Sequence, residues 1–142
     1  MTQEERNTML VVLASYMPYN VMVEYDYGDG VKRTTEFHGN YYYLLSTGKL
    51  QWKDFKPYLR SLSSMTEEEK KELSKKYVWN IWTGQIQIRY HSQGCWDDET
   101  ECPTEEYIEL FNWLNKKMFD YRGLIPKGIA LEAPEGMYRS LN

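Results

Sequence analysis

The chain has 142 residues, 42% of them hydrophobic and 27% charged, with a formal net charge of −4. That balance is too apolar for a disordered chain and large enough to bury a core without disulfide staples. The acidic balance also argues against affinity resting on the general phosphate field of nucleic acid, which needs a cationic footprint. Aromatic residues reach 15%, including 13 Tyr and 5 Trp, and such enrichment suits either a dense core or a binding face.

In chain order, Met9, Leu10, Val12 and Leu13 fit one side of a helix over 3–15, with Pro18 to stop it. Val21, Val23 and Tyr25 then alternate with Met22, Glu24 and Asp26, and Asp29-Gly30 is a favoured pair for a tight turn, so 20–37 reads as a β-hairpin. Residues 39–48 fit a helical turn ending at Gly48 or a buried strand, and the helix is preferred. Pro57 points to an edge strand within Trp52–Leu62. Thr66 and Glu69 form a capping-box pattern, starting a helix over 66–77. Residues 85–91 alternate as a half-buried strand, and Ile108, Phe111, Leu114 and Met118 mark the buried stripe of a helix over 104–118. The tail after Asp120 reads as packed and turn-rich, fraying after about Pro134. The expected fold is α+β: one domain over 1–142, with about three helices on a small, mainly antiparallel sheet holding the 20–37 hairpin and the 85–91 strand.

Two blocks, Lys56 to Thr66 (KPYLRSLSSMT) and Phe119 to Leu131 (FDYRGLIPKGIAL), resemble short uncharacterised proteins of Bacteroidales gut bacteria and their phages. The resemblance implies a phage or mobile-element setting and carries over no activity and no functional residue. The apolar run Met9 to Leu13 is shorter than a signal-peptide core or a membrane span, so the expected location is the cytoplasm.

No phosphate-binding glycine loop, dinucleotide fingerprint, paired-histidine zinc helix or nucleophile elbow is present. His38 reads as a polar residue at a strand end, whereas His91, with Arg89, Tyr90 and Arg122, could surround a small-molecule or nucleotide pocket. His91, Cys95 and Cys102 are suitable zinc ligand types, but their spacing departs from structural zinc sites, and the stronger reading is an acidic loop with reduced thiols. Asp97, Asp98, Glu99, Glu101, Glu105 and Glu106 lack the glycine and terminal glutamate of a calcium loop. No metal site or cofactor is therefore expected. Trp52, Lys56, Tyr58 and Arg60 alternate rings and cations as single-stranded nucleic-acid binders do, although Lys and Pro also guard sheet edges. Arg122 is read mainly as tying the tail to an acid on the domain. The leading expectation is a non-enzymatic module, monomeric or homodimeric, that binds a host protein through an aromatic or acidic surface.

Overall fold

The computed structural model describes residues 1–74, 77–82, 85–90 and 104–138; at residue 74, in 77–82 and 85–90 and at 104–107 the description is of the backbone. The fold is a small α+β one. Its elements in chain order are α1 (Gln3–Tyr16), β1 (Met22–Asp26), β2 (Arg33–Glu36), α2 (Gly39–Ser46), β3 (Asp54–Leu59), α3 (Glu67–Ser74), β4 (Tyr77–Trp82), β5 (Gln85–Tyr90), α4 (Thr104–Lys116) and β6 (Leu131–Glu132). Short 3-10 turns at Met17–Tyr19 and Leu62–Ser64 follow α1 and precede α3. Among the described residues, no helix is long and apolar enough to cross a membrane.

The main sheet has the order β2-β1-β3-β6, antiparallel except for the β3–β6 pair. Val21, Val23, Phe55 and Leu59 lie on one face of it, and the apolar stripe of α1 (Met9, Val12, Leu13 and Tyr16) packs there with Leu45 of α2. Each such side chain contributes on the order of 1.5–3 kcal/mol by leaving water. A second cluster joins Leu110 and Leu114 of α4 and Phe119 to Leu62, Met65 and Leu73 around α3.

Several elements follow the sequence closely. Thr2 caps α1 by accepting the Glu5 N–H. Thr66 and Glu69 cap α3 reciprocally, Oγ1 accepting the Glu69 N–H at 3.2 Å and the carboxylate accepting the Thr66 N–H at 3.0 Å. Residues 39–46 are helical, and Gly48 follows at φ +75°, a conformation that glycine adopts without steric cost. The tail is packed as well: the buried Asp120 carboxylate accepts the N–H groups of Leu124 and Ile125, both at 2.8 Å, and so fixes the turn that buries Leu124 and Ala130.

Other expectations need correction. The hairpin closes through residues 27–32 rather than a two-residue turn, because Asp26 accepts the Gly28 N–H and Asp29 the Val31 N–H, widening the bend. β3 is central, not an edge. The Leu59 carbonyl accepts the Ala133 N–H, so the alternate residue Pro57 turns its nitrogen toward β6, whose pairing begins only at Tyr58; the missing donor is not required. The 85–90 strand belongs to a separate two-stranded sheet with β4. In α4, Ile108 and Phe111 are exposed while Leu110 and Leu114 are buried, so the helix is rotated from the expected stripe. Beyond Pro134 the chain does not fray at once, because Tyr138 inserts its hydroxyl between β1 and β3, accepting the Met22 N–H at 2.9 Å and donating to the Tyr58 carbonyl at 2.7 Å.

Candidate functional site

Strand β3 separates the residues singled out in the sequence. Trp52, two residues before it, is only 2% exposed and stacks on Tyr25 with ring centres 4.2 Å apart. Lys56, Tyr58 and Arg60 do share the opposite face, as the strand period requires, but Trp52 is not beside them, and its ring is not open to a base from that side. The Tyr58 hydroxyl donates to the Glu24 carboxylate at 3.1 Å.

Arg60 is engaged in tertiary structure. Its guanidinium forks onto Glu69 through Nη1 at 2.8 Å and Nη2 at 2.7 Å, reaches the Ser64 and Lys117 carbonyls, and lies 4.3 Å from the ring centre of Phe119. One side chain thus joins β3, the start of α3 and the end of α4. Burial alone would raise the Glu69 carboxyl, but hydrogen bonds from Arg60 and from the Thr66 N–H outweigh it and hold the group below the usual carboxylate value. Beside this pair lies an open cleft of about 510 Å³, bordered by Ser64, Thr66, Glu132 and Tyr138. Burial pushes the Tyr138 hydroxyl far above an ordinary phenol, so it stays protonated and keeps donating to Tyr58.

Arg122 donates to the Ser15 hydroxyl at 3.0 Å and lies over the Tyr121 ring, tying the tail to α1, and among the described residues it pairs with no acid. Arg89 and Tyr90 stand on β5, opposite Val78 and Tyr77 of β4, with side chains outside the description. His91, Cys95, Cys102 and the acidic stretch 97–101 lie outside the described residues, and with them the pocket and zinc readings built on them.

The structure instead assembles a line of rings that residue-by-residue reading misses. Tyr25, Arg33 and Phe55 are cross-strand partners, so their side chains leave the same face of the sheet. Trp52 packs there against Tyr25, Phe37, Tyr41 and Phe55. From this core the rings run outward in two directions. Tyr27 meets Tyr25 edge-on at 5.9 Å, is 46% exposed, and carries the Arg33 guanidinium 4.9 Å from its ring centre. On the other side His38, exposed at the start of α2, stacks on Tyr41 at 6.1 Å. The aromatic count was the available signal, but it carried no positional information. Rings anchored in a rigid core present apolar area and polar edges with little entropy left to lose on contact, which suits recognition of another surface.

Neither the protein-family models, nor the curated proteins, nor the solved structures contain a match to this chain.

Proposed function

We propose that the protein is a non-enzymatic interaction module of a phage or mobile element, acting in the cytoplasm on a host protein through the aromatic strip from Tyr27 to His38. The observation that carries this reading is the continuity of the strip: exposed Tyr27, with Arg33 over its ring, is held through Tyr25 and Trp52 to the buried core. Tyr and Arg are the residue types that concentrate binding energy at protein interfaces, and rigid anchoring lowers the entropic cost of contact. The phage setting comes from the resemblance of residues 56–66 and 119–131.

A photo-crosslinking residue placed at Tyr27, in protein expressed in its own host, tests the proposal. A discrete protein adduct at Tyr27, absent when the same group replaces exposed Val11 of α1, is the expected result. Adducts that are equally diffuse at both positions, or that disappear with nuclease rather than protease, reject it.

A further inference from the structure

β2 is the outer strand on one side of the main sheet. The Phe37 N–H donates to the Val21 carbonyl, so by strand alternation Thr35 and Arg33 turn their backbone groups toward β1 while Thr34 and Glu36 turn theirs away. Thr34 is exposed, and among the described residues only the Thr35 hydroxyl, at 3.3 Å from the Glu36 carbonyl, touches these outward groups. Two N–H and two C=O groups therefore face outward, repeating at ~6.8 Å, the spacing an additional strand matches.

Side chains select the occupant. Thr34 and Glu36 lie on the outer face next to their cross-strand partners Glu24 and Met22. Glu24 accepts the Tyr58 hydroxyl and has Lys56 of β3 as its other cross-strand partner, so a cation already faces it, whereas the Glu36 carboxylate takes no hydrogen bond or ion pair among the described residues. The unpaired Glu36 carboxylate at the edge disfavours indiscriminate pairing and favours a strand that sets a cation opposite it. A second copy is the weaker occupant: the outer face of its own β2 presents Thr34 and Glu36, and so no cation to set against Glu36.

We propose that β2 accepts, as a fifth strand, an extended segment of a partner protein bearing Lys or Arg at alternate positions, one of its cations lying opposite Glu36. The proposal rests on the interaction-module reading but uses backbone groups of the sheet edge rather than the rings of the strip.

The test is an NMR titration of the full chain with a blocked heptapeptide alternating Val and Lys. Binding is expected to shift and protect the Thr34 and Glu36 amides, and a Val/Glu heptapeptide is expected not to bind. Thr34→Pro removes an outward donor without touching a β1–β2 hydrogen bond, so it should lower affinity at least ~10-fold with the fold retained by circular dichroism. Glu36→Gln, which leaves the backbone intact, should weaken binding several-fold. Undiminished affinity in Thr34→Pro, shifts confined to other residues, or protection of these amides by self-association without peptide would each overturn the proposal. Tyr27→Ala separates the two surfaces: retained affinity there supports the edge, whereas affinity lost there and kept in Thr34→Pro assigns binding to the strip and overturns the edge proposal.

Discussion

Removing one half of the Arg60–Glu69 pair leaves the other half charged and buried, which typically costs about 3–5 kcal/mol. Arg60→Ala should lower the denaturation midpoint by a corresponding amount, and replacing both residues with Met and Leu should recover part of the loss. Because Glu69 titrates below its ordinary value, its contribution is complete above the ordinary carboxylate range and is lost as pH falls through the lower folded value. Glu69→Gln should therefore flatten the acid limb of the stability profile, measured by denaturation from neutral pH downward. Tyr138→Phe presents the same logic with neutral groups: the Met22 N–H and Tyr58 carbonyl lose their shared partner, for about 1–3 kcal/mol in urea unfolding. Neither pairing is visible in the sequence, where Arg60 reads as a cation guarding a sheet edge or, as the alternative, a nucleic-acid contact, and Tyr138 as part of a fraying end.

At the scale of elements, local signals and tertiary choices divide clearly. The α3 start was legible because a capping box is closed by residues three apart, and Thr66→Ala should destabilise the protein by about 1 kcal/mol in thermal unfolding. The α4 face was not legible. Apolar residues at 108, 110, 111, 114 and 118 support two adjacent stripes, and the choice falls to Leu62, Met65 and Leu73, which meet Leu110 and Leu114. Leu110→Ala should cost about 2–5 kcal/mol, whereas Ile108→Ala should stay within about 0.5 kcal/mol. β3 carried a misleading local cue in Pro57. Proline forbids donation only on the side its nitrogen faces, and the neighbouring β6 is too short to need it there.

Across the whole molecule, the tail completes a sheet that begins more than a hundred residues earlier. β6 pairs with β3, Ala133 bonds Leu59, and Tyr138 fills the opening between β1 and β3. Ending the chain after Ala133 should accelerate exchange of the Met22 amide by hydrogen-exchange NMR while the amides within α1 stay protected. By itself, the sequence determined the α+β class, a first helix over 3–15, the 20–37 hairpin and the α3 cap, because periodicity, capping and turn chemistry act over a few neighbouring residues. Only the tertiary structure decided that Trp52 belongs to the core, that Arg60 is a tie between elements, that Tyr25, Tyr27, Tyr41 and His38 form one strip, and which strand is left at the sheet edge. Those outcomes depend on cross-strand register and long-range packing, which bring together residues whose separation along the chain carries no local signature.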